Sequence, residues 1–150
     1  MRYLIAAGVI ALTSCAQAQE QTATERTAPE STCLVGGQWL NDRGSAVTLS
    51  CEGERLKGVY NTNVGQPDKG QSFPLTGWAQ GDNLSFTVSF KGYGSITAWV
   101  GQVETVDGAD QLKTLWHLTR NVEDAAEADD MWKSVTSGAS VFTRAKRPNN

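Results

Sequence analysis

The sequence predicts an all-β fold, an eight-stranded antiparallel up-and-down β-barrel that holds a small ligand in its mouth. Apolar and polar residues alternate in short runs, most clearly over residues 85–90, where Phe86, Val88 and Phe90 share one face. Turn-forming sequences separate these runs at short intervals. They are Asp42-Arg43-Gly44, Glu52-Gly53, Gly81-Asp82-Asn83, Gly92-Tyr93-Gly94 and Asp107-Gly108.

The runs between the turns give about eight strands, centred near residues 39, 48, 58, 75, 87, 99, 115 and 142. Residues 112–119 alternate as well, so Trp116 lies on one face of its strand and His117 on the other, outside the barrel. Residues 64–72 are polar and rich in glycine, which is typical of a mobile lid. Residues 121–133 are acidic and alanine-rich, which favours a short helical turn before Trp132.

The first 18 residues have the layout of a secretory signal, with Arg2 followed by an apolar stretch too short to span a bilayer. Residues 16–18 offer a small-x-small cleavage site, whereas residues 12–15 resemble a lipobox, in which Cys15 is acylated and becomes the new N-terminus. Either reading predicts an exported protein, secreted or periplasmic, with a lipid on Cys15 as the one expected membrane anchor. Residues 19–32 contain no large apolar residue and are predicted to be a polar tether, so the barrel domain is predicted to span residues 33–147.

After either cleavage, Cys33 and Cys51 are the only unassigned thiols. Two thiols in an oxidising compartment pair by default, so we predict a disulfide between them. A tight hairpin around residues 42–44 brings the two cysteines near each other, although not directly opposite. Two independent buried cysteines are the alternative.

The charge and the residue inventory argue against several functions. A formal net charge of -3, with a basic cluster only at the C-terminus, provides no electrostatic footprint for nucleic acid. His117 is the only histidine, the sequence has no cluster of His and Cys suited to a metal, and the acidic residues concentrate in turns and in residues 123–130. We therefore expect neither an enzyme nor a metal or cofactor site.

The tryptophans indicate a small-ligand site instead. They are spread among the predicted strands together with hydroxyl and amide side chains. Aromatic walls supply contact area, and a few fixed donors and acceptors orient a flat polar group. The four tryptophans concerned, of five in the sequence, are Trp39, Trp99, Trp116 and Trp132, and the polar residues are Asn41, Ser45, Tyr60, Thr62 and Thr97.

A series of motifs resembles the avidin and streptavidin family, in order and over nearly all of residues 33–146. A tryptophan strand leads into a turn over residues 36–45, a Gly-x-Tyr pattern follows at residues 58–60, and Thr-x-Trp-x-Gly-Gln occupies residues 97–102. Residues 86–90, 112–116, 132–133 and 142–144 complete the match. No single motif is specific, but the ordered set is.

The resemblance implies high-affinity binding of biotin, with its ureido ring in an aromatic box. Asn41, Ser45 and Tyr60 match three donors to the ureido oxygen, and Thr62 matches an acceptor for a ureido N–H. The remaining matched positions contact other parts of the ligand. They are Phe90, Trp99 and Trp116 in the aromatic box, Thr97 at the thioether sulfur and Ser95 near the valerate carboxylate.

The resemblance also implies a homo-oligomer, because Trp132 matches a tryptophan that caps the ligand of a neighbouring subunit. Ser137 and Ala139 replace larger apolar residues at a subunit contact of tetrameric members, so we expect a tetramer or a dimer. Phe90 replaces a tryptophan and keeps the wall. Ser140 stands where the family has a carboxylate or amide that faces the second ureido N–H, and the shorter hydroxyl is expected to weaken binding by about 1 to 3 kcal/mol.

The alternative function is that of a lipoprotein barrel that acts as a protease inhibitor or carries another small ligand. Such proteins also have about eight strands on a tether. Their function does not require Asn41, Ser45 and Tyr60 together with Thr97 and the tryptophans, so we predict biotin binding.

Overall fold

The computed structural model describes residues 33–145, except for the side chains of Met131 and Trp132. The predicted signal, the predicted tether and residues 146–147 of the predicted domain lie outside the described residues. The connection between the last two strands contains helix α1 (Glu127–Asp130), flanked by 3-10 turns at Asp124–Ala126 and Met131–Ser134. The strands are β1 (Gly37–Asn41), β2 (Ala46–Glu52), β3 (Arg55–Asn61), β4 (Ser72–Gln80), β5 (Asn83–Phe90), β6 (Ser95–Val106), β7 (Ala109–Arg120) and β8 (Val135–Arg144).

The eight strands form a closed barrel in which each strand pairs with the next along the chain. The barrel closes where β8 pairs antiparallel with β1, with Phe142 opposite Asn41. This arrangement confirms the predicted fold, and every predicted strand centre falls within a strand. The predicted helical turn before Trp132 is also confirmed. The loop predicted at residues 64–72 ends one residue earlier, because Ser72 pairs with Asn61 as the first residue of β4.

Strand alternation divides the side chains between one core and the barrel surface. The largest fully buried side chains belong to Trp39, Phe86 and Phe142. Trp116 faces inward on β7, while its neighbour His117 is exposed on the outer face, as the alternation predicts. The interior is therefore lined by aliphatic and aromatic side chains, and its polar residues are few.

One end of the barrel is closed by contacts around Trp39. Its indole Nε1 donates a hydrogen bond to the Val35 carbonyl at 2.9 Å, and the Arg144 guanidinium lies 4.1 Å from the centre of its ring. Arg144 also donates to the Leu34 carbonyl at 2.8 Å and to Asp110 at 3.0 Å. The predicted disulfide between Cys33 and Cys51 is confirmed and ties the same segment to the end of β2.

The other end of the barrel carries the longer connections between strands and is called the open end. Because consecutive strands are antiparallel, the connections alternate between the two ends. The turn after β1, the loop at residues 62–71, the turn at residues 91–94 and the connection at residues 121–134 therefore lie together, opposite Arg144. Within residues 33–145, no helix has the length and apolar character needed to cross a membrane.

Candidate functional site

The predicted binding residues other than Trp132 occupy inward-facing or buried positions in the open half of the barrel. Ser45, Thr62 and Thr97 are at most 2% exposed although they are polar, and Tyr60 is 5% exposed. Trp132 lies in the 3-10 turn Met131–Ser134 at the open end, and its role as a cap stays a prediction. The other inward-facing predicted residues are Asn41, Phe90, Ser95, Trp99, Trp116 and Ser140.

The turn between β1 and β2 fixes the orientation of the Asn41 amide. Its Oδ1 accepts hydrogen bonds from the backbone N–H of Arg43 at 3.1 Å and of Ser45 at 2.8 Å. Gly44 completes the turn with a φ of 80°, in the left-handed region that favours glycine. Because both backbone donors hold Oδ1, the Nδ2 group of Asn41 is left to donate into the barrel.

Ser45 and Tyr60 continue this row of donors. The Ser45 Oγ accepts a hydrogen bond from the backbone N–H of Asn63 at 3.0 Å, so its own proton is available to a partner inside the barrel. Burial raises the pKa of the Tyr60 phenol above its usual value of 10.0, and a hydrogen bond with Ser45 opposes part of that rise. The phenol therefore keeps its proton at neutral pH and acts as a donor.

Thr62 and Thr97 differ from the donor row in the hydrogen bonds that their hydroxyls can make. Thr62 Oγ1 donates its proton to the Val64 carbonyl at 2.8 Å and accepts from the Val64 N–H at 3.3 Å, which leaves one lone pair for the pocket. Thr97 Oγ1 is buried and has no hydrogen-bond partner among the described residues. A buried hydroxyl without a partner is costly, so it points to a partner that a ligand supplies.

Aromatic rings form the walls of the same space. Trp99 stacks on Phe86 with ring centres 4.9 Å apart and an interplanar angle of 13°. Tyr60 lies 5.1 Å from Trp99 and meets Phe90 edge-on at 6.0 Å. These contacts bring the rings of Tyr60, Phe90 and Trp99 together beside the polar row.

Sequence reasoning missed three residues beside the predicted site. Phe73 packs edge-on against Phe90 at 4.9 Å, and its alternation with Leu75 on β4 was the signal that could have revealed it. Tyr93 lies 6.1 Å from Phe73 and donates through its hydroxyl to Gln71 Oε1 at 2.8 Å. The Tyr93 to Gln71 hydrogen bond joins two loops of the open end, whereas the sequence around Tyr93 indicated only a turn.

Strand β8 holds Trp116 in a fixed orientation. The Trp116 ring lies so close to Gly138 that a Cβ added there would be 2.4 Å from its Cζ2 atom. Its Nε1 donates a hydrogen bond to Ser140 Oγ at 3.1 Å. The structure therefore places Ser140 beside the aromatic wall, with its oxygen already accepting one hydrogen bond.

The described residues 33–145 contain no group of three or more His, Cys, Asp or Glu side chains that could hold a metal ion. His117 lies outside the barrel and does not contribute to the pocket. The chemistry of the site is that of neutral donors and acceptors between aromatic rings, which suits recognition of a flat polar ligand.

Comparisons with known proteins agree with this geometry. The Avidin family model matches residues 29–145. Avidin of Gallus gallus is 33% identical over 125 residues, which cover 76% of this chain and 80% of avidin. The X-ray structure of the biotin binding protein from chicken has a TM-score of 0.66 at 32% identity and covers 76% of this chain and 98% of that one. The structure of the short afifavidin complex with biotin has a TM-score of 0.60 at 26% identity and covers 73% of this chain and 87% of that one. With the family model spanning the whole described barrel, the chain belongs to the avidin family.

Proposed function

We propose that this chain binds biotin at the open end of its barrel, with the ureido ring of the ligand beside Asn41, Ser45 and Tyr60. Proteins of the avidin family bind their ligand without converting it and without a cofactor, so the chain is a binding protein and not an enzyme. The observation that carries the proposal is the polarity of the buried side chains, which matches a cyclic urea.

A cyclic urea has one acceptor oxygen flanked by two N–H donors. The side chains of Asn41, Ser45 and Tyr60 each carry a proton, and they lie together because the Ser45 N–H binds Asn41 Oδ1 and the Ser45 side chain binds Tyr60. When the Ser45 to Tyr60 hydrogen bond is exchanged for bonds to the ligand, one ligand oxygen can accept from all three side chains. Thr62 has a lone pair left for one ureido N–H. Several donors on one oxygen polarise the urea, and such hydrogen bonds are stronger in a dry pocket than in water.

The rest of the ligand fits the remaining residues of the site. Phe90, Trp99 and Trp116 line the bicyclic ring, and the unpartnered Thr97 hydroxyl faces the thioether sulfur. Ser95 begins β6 at the open end, where the valerate carboxylate leaves the barrel. Two relatives support the choice of ligand, because the short afifavidin structure contains biotin and the chicken relative is a biotin binding protein.

The outer wall of the barrel supports a homo-oligomer. Val100 and Leu115 are 57% and 61% exposed and lie side by side on β6 and β7, next to Ala139 on β8. Exposed apolar residues in one row favour contact with a second copy of the chain. In that assembly Trp132 caps the biotin of a neighbouring subunit, and the small side chains of Ser137 and Ala139 weaken one contact, so a tetramer splits more readily into dimers.

Export completes the proposal. The disulfide between Cys33 and Cys51 is stable in an oxidising compartment, which agrees with a secretory signal over residues 1–18. Acylation of Cys15 would anchor the domain to a membrane through the polar tether. Mass spectrometry of the mature N-terminus separates the two cleavage sites, because a lipidated Cys15 adds the mass of its acyl chains.

A titration tests the function. Biotin added to the purified mature protein should change its tryptophan fluorescence and saturate at one biotin per chain. The complex should also unfold at a higher temperature, because a ligand that binds only the folded state stabilises it by about 4 kcal/mol at a concentration of 1,000 Kd. Absence of both the fluorescence change and the thermal shift at excess biotin would reject the function.

A further inference from the structure

Two hydroxyls beside the proposed urea differ in where their protons go. The Thr62 proton is committed to the Val64 carbonyl, 2.8 Å away. Ser140 Oγ instead accepts from the Trp116 indole N–H at 3.1 Å, and an indole nitrogen can only donate. The Ser140 hydroxyl therefore keeps one proton and one lone pair, whereas Thr62 can offer the ligand a lone pair only.

The surroundings of Ser140 hold this arrangement in place. Its backbone carbonyl accepts a hydrogen bond from Thr114 Oγ1 at 3.0 Å, which fixes this point of β8 against β7. The absence of a side chain at Gly138 lets the Trp116 ring approach the strand closely. Asn41 on β1 pairs with Phe142 on β8, and Ser140 is the next inward-facing residue of β8, so Ser140 lies near the Asn41 end of the donor row.

We propose that Ser140 widens the ligand range of the site from cyclic ureas to five-membered cyclic carbamates whose ring oxygen faces Ser140. This inference rests on the proposed function, because it takes the pose of the urea from it. A ring oxygen at this position accepts the Ser140 proton, while the carbonyl oxygen keeps its three donors and the remaining ring N–H donates to Thr62. Ser140 serves the urea as an acceptor and the carbamate as a donor.

The other regioisomer, in which the ring oxygen faces Thr62 and the ring N–H faces Ser140, is not satisfied in this way. Its ring oxygen and Thr62 Oγ1 turn lone pairs toward each other, because the Thr62 proton is donated to the Val64 carbonyl. A buried acceptor without a donor destabilises the complex. The site should therefore distinguish the two regioisomers, although each of them keeps the ring, the thioether and the carboxylate of biotin.

The experiment measures competition of the two carbamate regioisomers of biotin with labelled biotin on the mature protein. We expect one regioisomer to bind within about 10-fold of biotin and the other to bind at least about 100-fold more weakly. Ser140→Asp replaces a hydroxyl that can donate or accept by a carboxylate that only accepts, so it should weaken the tolerated regioisomer by about 100-fold and tighten biotin binding. Ser140→Ala removes the donor with a smaller change of shape and should weaken the same regioisomer by about 10-fold.

Ser95→Ala is the matched control. It removes an inward-facing serine at the end of the site away from the ring, so the ratio of the two regioisomer affinities should stay unchanged. The inference would be overturned, and the proposed function kept, if biotin binds but both regioisomers bind equally weakly. The same holds if neither Ser140 variant changes the ratio of the two regioisomer affinities. Failure of biotin itself to bind would overturn the proposed function and the inference with it.

Discussion

Removal of the Tyr60 hydroxyl is the clearest perturbation of the proposed donor row. Tyr60→Phe keeps a ring that packs 5.1 Å from Trp99 and 6.0 Å from Phe90, so the aromatic wall should persist. What is lost is one donor to the ureido oxygen and the partner of the Ser45 hydroxyl. A buried hydrogen bond of this kind contributes about 1 to 3 kcal/mol, which corresponds to about a 5- to 150-fold change in affinity.

The assay is the dissociation rate of labelled biotin after addition of an excess of unlabelled biotin. Tyr60→Phe should accelerate dissociation within that range, because most changes in affinity among related complexes appear in the off-rate. Tyr93→Phe is the control, since it also removes a phenol hydroxyl but loses only the hydrogen bond to Gln71. Equal dissociation rates for Tyr60→Phe and the parent protein would refute the assignment of Tyr60 as a donor to the ligand.

Four further predictions follow from the same contacts. Ser140→Asp should slow biotin dissociation, because a carboxylate is a stronger acceptor for a ureido N–H. The expected gain in binding free energy is about 1 to 3 kcal/mol, measured by the same dissociation assay. Arg144→Gln should lower the free energy of unfolding by about 2 to 4 kcal/mol in urea titration, because the variant loses the contacts with Trp39, Asp110 and two backbone carbonyls. The control Arg55→Gln loses only an exposed contact with Trp78 and should lower the free energy of unfolding by less than about 1 kcal/mol. Trp132→Ala should raise the biotin dissociation rate without lowering the melting temperature of the free protein, and equal off-rates would argue against a cap. Stability should fall as the pH rises above 10.0, because the raised pKa of Tyr60 means that the unfolded chain releases this proton first, and the fall should be smaller in Tyr60→Phe.

Alternation and turn chemistry were sufficient to predict the strands of this barrel. The period of two in residues 85–90 and 112–119 places each inward-facing residue correctly, including Trp116 and its outward neighbour His117. The disulfide followed from the count of cysteines and the expected compartment. These features depend on local sequence, because a strand whose one face is buried must keep its register.

The finer properties of the site depend on individual side-chain hydrogen bonds, which no alternation pattern contains. The free lone pair of Thr62 is known only from its bond to the Val64 carbonyl, and the free proton of Ser140 only from the Trp116 ring on the neighbouring strand. Trp78 shows instead that residue type alone does not identify a pocket tryptophan, since Trp78 is 56% exposed and lies beside Arg55 on the outer wall. Only its position out of step with Phe73 and Leu75 distinguishes it.

The most direct measurement of the central claim is an experimental structure of the mature protein with biotin. The account predicts that Asn41 Nδ2, Ser45 Oγ and Tyr60 Oη all lie within hydrogen-bond distance of the ureido oxygen, at about 2.6 to 3.2 Å. It also predicts one ureido N–H on Thr62 Oγ1 and the thioether sulfur beside Thr97. A biotin bound with its ureido oxygen away from these three donors, or a barrel interior that stays free of biotin at saturating concentration, would contradict the account.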